Sequence, residues 1–219
     1  MRNILVIEGR QSIGGGQIIT KKVCDGLSEE NNISVFIPGK ENAISLYLSD
    51  FSQYHYKLKE YSRGKKQVKD YFLFLYNTCS VFKSLYRIVK DNSFDIIYVQ
   101  HLNVLPVIVL VNIIFKKDVI VHLHVVYADT IVHWLVNLLL RSSYIKKIIG
   151  VSNYALQQLD EKNKTKSMVL YNPVCFLNKL NFCDKYQIAI IGDVIYNKGH
   201  HILLEALSKS SIQYTLHVI

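Results

Sequence analysis

Proline is scarce in this 219-residue chain, with three in all. With 50% hydrophobic and 20% charged residues, that scarcity excludes collagen-like and disordered classes and leaves an ordinary globular protein. The four cysteines, Cys24, Cys79, Cys175 and Cys183, form no CxxC pair and have no zinc-ligand spacing. That pattern argues against a disulfide scaffold or a zinc module, and a reducing cytosol fits. Acidic residues are outnumbered, 17 against 26 Lys and Arg, for a net charge of +9. Such a surface favours nucleic acid, acidic lipid or phosphorylated small molecules. Long hydrophobic runs are missing too. The run Ile4 to Ile7 is too short for a signal peptide. Val104 to Phe115 is interrupted by Pro106 and Asn112 and falls short of the roughly 20 residues a spanning helix needs. The expected location is the cytoplasm, with no transmembrane segment.

What is present is a series of short apolar runs with little polar alternation: Ile4–Ile7, Ile33–Ile37, Ile96–Val99, Val119–Val121, Ile148–Val151 and Met168–Leu170. Runs of this kind are strands buried on both faces. Helical stretches lie between them, clearest from Val68 to Val89, where Val68, Phe72, Leu75, Cys79, Phe82, Tyr86 and Val89 repeat at steps of three and four. That spacing predicts one continuous apolar face. The alternation predicts an α/β fold, a doubly wound parallel sheet of Rossmann-like type, with ligands beyond the carboxyl ends of the strands.

The stretch from Tyr171 to Tyr186 carries Asn172, Pro173 and Asn178 and lacks periodicity. It reads as a linker before a second domain whose first strand is Ile188–Ile191, followed by a helix over Gly199–Ser208 and a strand-like run from Tyr214. The expected division is a first domain over 1–172, a linker over 173–186 and the incomplete start of a second domain over 187–219, too short for its own core.

Several strand ends carry chemistry. Gly14-Gly15-Gly16 follows the first strand and opens a helix, so bare N–H groups could meet a phosphate, or the glycines could form a flexible turn. The dinucleotide fingerprint fails because Ile19 stands where glycine is needed, and no Gly-Lys-Ser/Thr follows for a P-loop. His122 and His124 end the strand Val119–His124 with a spacing that puts both on one sheet face. They suit a metal, a substrate contact or a structural role, and Asp129 is the nearest third ligand in sequence. His101, just past the strand Asp95–Gln100, is similarly placed. Gly150-Val-Ser152-Asn-Tyr154 lacks the last glycine of a nucleophile elbow, so Ser152 is expected to cap the helix Asn153–Leu159. Lys57, Lys59, Arg63, Lys65, Lys66 and Lys69, with Tyr54, Tyr56 and Tyr61 interleaved, form a solvated loop or an anchor for an anionic bilayer surface. No nucleic-acid-binding module is visible.

In order and spacing these pieces resemble the retaining glycosyltransferases of the two-domain GT-B type, group 1. The likeness runs through Ile4–Ile7 with Gly14–Gly16, Asp95–His101, Val119–His124, Gly150–Ser152, Val169–Val174, Ile190–Gly192, Lys198-Gly199 and Leu203–Leu207. It implies an acceptor-binding first domain, a nucleotide-sugar-binding second domain and transfer to a saccharide or lipid-linked acceptor in the cleft between them. Carried over, Gly15 and Gly16 would lie near the donor diphosphate, His124 at the donor sugar and Lys198 at phosphate. His101, Ser152 and Asn172 would line the cleft. No metal or cofactor is implied, the nucleotide sugar being a substrate. Asp193 stands where many members have arginine, and the acidic motif that holds the donor's ribose and sugar is missing. The expectation is a chain truncated early in its donor domain, cytoplasmic or peripheral on the inner membrane face. A sugar-nucleotide epimerase of the same architecture and a non-catalytic remnant or binding module are the alternatives.

Overall fold

The computed structural model describes residues 1–59, 68–126, 130–173, 186–192, 194 and 196–219. The chain divides into two compact units, Met1–Pro173 and Val174–Ile219. In the first, the order is β1 (Asn3–Ile7), α1 (Gly15–Ser28), β2 (Asn32–Pro38), α2 (Ala43–Tyr47), β3 (Ser52–Tyr56), α3 (Val68–Asp91), β4 (Ile96–Val99) and α4 (Leu105–Phe115). Then follow β5 (Asp118–Leu123), α5 (Thr130–Leu140), β6 (Ile145–Gly150), α6 (Asn153–Gln157), α7 (Glu161–Lys164) and β7 (Ser167–Val169). The strands form one sheet in the order β3-β2-β1-β4-β5-β6-β7, every pairing parallel. This is the doubly wound, Rossmann-like sheet the alternation predicts.

The unbroken apolar runs have a direct cause. Successive side chains of a strand point to opposite faces, and both faces here are cores. Leu5 and Ile7 of β1 join a cluster with Val81, Leu85 and Val89 of α3, Val107, Ile108 and Val111 of α4, and Val136 and Leu140 of α5. Ile4 and Val6 join the opposite cluster with Cys24 of α1 and Ile44 of α2. Register follows from this: Ile4 faces Ile33 on one side and Ile96 on the other, and a one-residue slip would exchange the two cores.

Three details depart from the sequence expectations. Among the described residues the buried positions of α3 are Asp70, Asn77, Val81, Leu85 and Val89, whereas Val68, Phe72 and Leu75 are exposed. The helix carries two apolar stripes; its second half packs on the sheet and α4, and its first half turns apolar side chains outward. The segment 41–56 holds α2 and the edge strand β3, which sequence patterning passed over because Ser-Gln-Tyr-His-Tyr is too polar to read as a buried strand. Pro106, taken as an interruption, lies in the first turn of α4, where a missing N–H costs nothing. Among the described residues no helix is long and apolar enough to cross a membrane.

The second unit pairs β8 (Gln187–Ile190) with β9 (Thr215–Val218) in parallel, with α8 (His200–Ser208) between them in sequence. Gly199 stands at the head of α8 with φ +75°, a left-handed conformation that favours glycine. Residues 174–185, including Cys175 and Cys183, lie outside the described residues, as do Asp193 and Asp129.

A polar clamp holds α5 to the α6–α7 segment. Asn163 Nδ2 donates to Asn137 O at 2.9 Å, the Asp160 N–H donates to Asn137 Oδ1 at 2.9 Å, and Asn137 Nδ2 donates to Gln158 O at 2.9 Å. Replacing Asn137 by Leu strands buried polar partners, each worth about 1–3 kcal/mol when unmet. The expected loss in urea denaturation is about 2–4 kcal/mol; a loss below about 0.5 kcal/mol would show that the clamp is idle.

Candidate functional site

The strand order reverses between β1 and β4. Crossovers leave these two strands toward opposite sides, so a crevice opens beyond their carboxyl ends. A cavity of about 240 Å³ occupies it, walled by Glu8 and Arg10 after β1, Gly14–Gln17 and Thr20 of α1, Gln100 and His101 after β4, and His122 and His124 of the β5 end. Val151 and Asn172 complete the wall. The structure thus gathers Gly15, Gly16, His101, His124 and Asn172 round one space. Ser152 is not among its walls. Its hydroxyl accepts the Ala155 N–H at 3.1 Å as the N-cap of α6, and it reaches the site only through its neighbour Val151.

At the α1 terminus the backbone is bare. Gly14 is the N-cap, extended and without a side-chain hydrogen bond. A Cβ at Gly15 or Gly16 would meet nothing within 4 Å, and neither residue has a positive φ. Internal packing therefore does not require these glycines. What they leave is an uncapped helix start with its partial positive charge facing open space. Gly9 is different: a Cβ there would stand 2.7 Å from the Cβ and Cγ of His101. Only glycine lets the His101 ring lie against this loop.

Glu8, 1% exposed, is the residue sequence reasoning missed. Its Oε1 accepts from the N–H groups of Gly9 (2.8 Å) and Arg10 (3.2 Å) and from Gln17 Nε2 (3.0 Å), and its Oε2 accepts from the Thr20 hydroxyl (2.8 Å). Gln100 was missed as well; its Oε1 accepts from His124 Nε2 at 2.6 Å. Both stand at the first position after a buried strand beside the reversal of strand order, and that placement is the signal that marks them.

His124, one residue past β5, lies with its ring centroid 4.2 Å from that of His122. The Tyr98 hydroxyl is 3.1 Å from His122 Nδ1. Burial, reinforced by the neighbouring His124, pulls His122 down to about 3. Burial also lowers His124, with Glu8 opposing, and lowers His101, again with Glu8 opposing and Arg10 adding to the fall. All three are neutral imidazoles at neutral pH, able to exchange hydrogen bonds with hydroxyl groups. Among the described residues no group of three or more His, Cys, Asp or Glu is arranged to hold a metal ion.

A second cavity, about 430 Å³, shares Arg10 and His101 with the first. Its lining mixes apolar side chains, Leu58, Phe74, Val81, Val104 and Val107, with polar ones, Gln11, Ser12, Lys59, Asn77, Thr78 and Asn103. Asn77 fixes the segment after β3, accepting the Lys59 N–H and donating to Lys59 O, each at 2.9 Å. In the second unit, Lys198 ends the short turn Tyr196–Lys198. Its side chain lies beside Gly192, where a Cβ would be 3.7 Å from Lys198 Cδ.

No protein-family model matches the sequence, and no curated protein matches it. Solved structures do match. HepE from Anabaena in complex with UDP and glucose superposes with a TM-score of 0.69 at 14% identity, over 100% of this chain and 60% of that one. The apo lipopolysaccharide outer core galactosyltransferase WaaB gives 0.66 at 13% identity, over 100% and 60%. A glycosyltransferase from Rickettsia africae gives 0.63 at 20%, over 99% and 60%. The first unit has the Rossmann-like fold of a GT-B domain. The chain spans about 60% of the length of these structures.

The neutrality of His122 has a measurable consequence. In an unfolded chain a histidine takes up its proton near pH 6.5, whereas in the fold His122 resists until about 3. The stability carried by its neutral form is complete above about pH 6.5 and is lost as the pH falls towards 3, by about 1.4 kcal/mol per unit at full burial. Urea midpoints should therefore drop between about pH 7 and pH 5, and His122→Gln should flatten that slope. An identical slope in the variant would exclude His122 as its source.

Proposed function

We propose that this chain supplies the acceptor-side domain of a glycosyltransferase that moves a sugar from a nucleotide-sugar donor, with retention, to a saccharide or lipid-linked acceptor. Its second unit is read as the start of the donor-side domain. The observation that carries this reading is the convergence, in one cavity at the strand-order reversal, of the uncapped α1 terminus with the neutral His101 and His124. The fold it sits on is shared with a protein that holds UDP and glucose. Two of the named structures are described as glycosyltransferases, which favours transfer over epimerisation.

As the sugar–phosphate bond breaks, charge develops on the departing nucleoside diphosphate. The N–H groups of Gly15 and Gly16, at the positive end of α1, are suited to stabilise it without reorganising. Lys198, in the second unit, keeps a phosphate-binding role within the donor-side domain. His124, oriented by Gln100, offers a neutral imidazole to a sugar hydroxyl. The larger cavity would take the acceptor, whose attacking hydroxyl would meet the donor sugar at the shared wall of Arg10 and His101. Asn172 closes the far side.

Peripheral attachment to the inner face of an anionic membrane belongs to the same proposal. α4 and α5 contain no charged residue, yet Ile113, Ile131 and Trp134 stand exposed on them, Trp134 by 64%. Apolar and aromatic groups on a basic protein suit a headgroup boundary. The basic cluster suggested by the sequence lies partly outside the described residues, which omit Tyr61, Arg63, Lys65 and Lys66.

Titrating the isotope-labelled chain with nucleotide sugars, UDP-glucose first, tests the donor site by NMR. Weak binding, on the order of millimolar, should shift Gly14–Gly16, Gln100, His101 and His124. His124→Ala should reduce those shifts while leaving the melting temperature nearly unchanged. Shifts confined to other surfaces, or none with any nucleotide sugar, would end the reading. Sedimentation with anionic vesicles tests the surface: the double substitution Ile113→Glu and Trp134→Glu should abolish binding, and undiminished binding would clear α4 and α5 of that role.

A further inference from the structure

We infer that a third concavity, on the β3–α3 face outside the proposed transfer site, binds a phosphate or diphosphate group. The groove has a volume of about 740 Å³ and brings together Lys40 from the loop after β2, Lys57 from the end of β3, and Lys83 and Arg87 from α3. Among the described residues no carboxylate lines it. Among the described residues none of these four cationic heads has an ion-pair or hydrogen-bond partner. Some cations elsewhere are paired: Lys21 with Asp25 and Asp50, Arg141 with Asp160, Lys146 with Asp118, Lys164 with Glu161, and Lys209 with Glu205.

Lys83 and Arg87 are four apart on one helix, a like-charge spacing that disfavours the free helix. The cations are also held on a hydrogen-bonded frame. The Gly39 N–H donates to Tyr56 O at 2.8 Å, His55 Nδ1 lies 2.6 Å from Gly39 O, and the Ser80 hydroxyl donates to Lys57 O at 2.9 Å. Gly39 has φ +74°, so the turn that presents Lys40 depends on glycine. Four convergent cations from three elements, with no counter-charge, match a multiply charged anion with several acceptor oxygens.

Tyr56 lines both this groove and the 430 Å³ cavity, so the two adjoin. If the cavity takes the acceptor, an assignment that rests on the reading above, the groove holds the phosphate of a phosphate-bearing acceptor. A neutral oligosaccharide would leave it unused. The anion site itself does not need that assignment.

The test titrates the labelled chain with inorganic pyrophosphate at physiological salt. Binding should shift Lys57, Ser80, Lys83, Ser84 and Arg87, weaken as salt rises, and fall at least tenfold in Lys83→Glu/Arg87→Glu. Lys40, Lys57, Lys83 and Arg87 are exposed, and Lys40→Gln/Lys57→Gln gives a second variant should the first misfold. Vesicles of phosphatidylcholine with and without phosphatidate separate the sources. Equal use of the groove by soluble pyrophosphate alone indicates a free phosphate group, and a large gain on phosphatidate vesicles that the same variants abolish indicates a lipid headgroup; both support the site. No pyrophosphate binding, binding that maps only to Gly14–Gly16, or affinity unchanged in both variants would overturn it. Pyrophosphate shifts in the groove together with silence of Gly14–Gly16 towards every nucleotide sugar would leave the groove standing and remove the transferase reading.

Discussion

Glu8 closes the central strand β1, 1% exposed, and its carboxylate accepts four hydrogen bonds from the following loop and from α1. A carboxylate buried there without such partners would cost several kcal/mol, on the order of what a whole domain can spare. The requirement fixes the rotation of α1: Gln17 and Thr20 must face β1, and Cys24, the next turn on the same stripe, goes into the core. Once those positions point inward, Gly15 and Gly16 are left on open space at the helix start. The backbone carbonyl of Glu8 is held as well, by the Tyr56 hydroxyl of β3 at 2.8 Å. One residue thus ties β1, β3, the strand-end loop and the helix terminus into one frame.

The fold was legible because its strands are buried on both faces. Doubly buried strands such as Leu5–Ile7 and Ile97–Val99 need apolar residues at every position, so their runs stand out whatever the register. The same logic fails at the sheet edge. β3 has a neighbour on one side only, and His55 and Gln53 spend their side chains on hydrogen bonds to Gly39 O and Ser45 O. Periodicity also misjudged α3, since aromatic residues at helical spacing mark an apolar stripe without saying whether a sheet lies beneath it.

The candidate site was legible in part for a related reason. Glycines and histidines at strand ends are conspicuous in sequence, and the rule that ligands sit beyond the carboxyl ends of parallel strands brings Gly14–Gly16, His101 and His124 together before any coordinates. Glu8 and Gln100 escaped because a single Glu or Gln after a strand is commonplace. Their importance arises from long-range partners: Gln17 and Thr20 lie 9 and 12 residues on from Glu8, and His124 lies 24 on from Gln100. Ser152 shows the opposite case, where a local rule, the N-cap of a helix following a strand, sufficed.

Polar satisfaction separates the two kinds of buried network in the first unit. Around Asn137 nearly every donor and acceptor finds a partner, as a structural clamp requires. Around the 240 Å³ cavity, by contrast, Gln100 Nε2, His101 Nδ1 and His122 Nε2 are buried without one. Native folds leave few such groups, and those few concentrate where function competes with stability. The histidines are held neutral by burial, so the unmet capacity is for exchanging hydrogen bonds and not for binding bare charge. That pattern suits a hydroxyl-bearing ring against the histidines with an anionic group beyond it at the α1 terminus. The four cations of the β3–α3 groove, without ion-pair partners among the described residues, present the inverse pattern, excess charge on an exposed frame. Buried neutral imidazoles and exposed cations thus stand at two separate cavities of the first unit, each adjoining the 430 Å³ cavity whose lining includes both His101 and Tyr56.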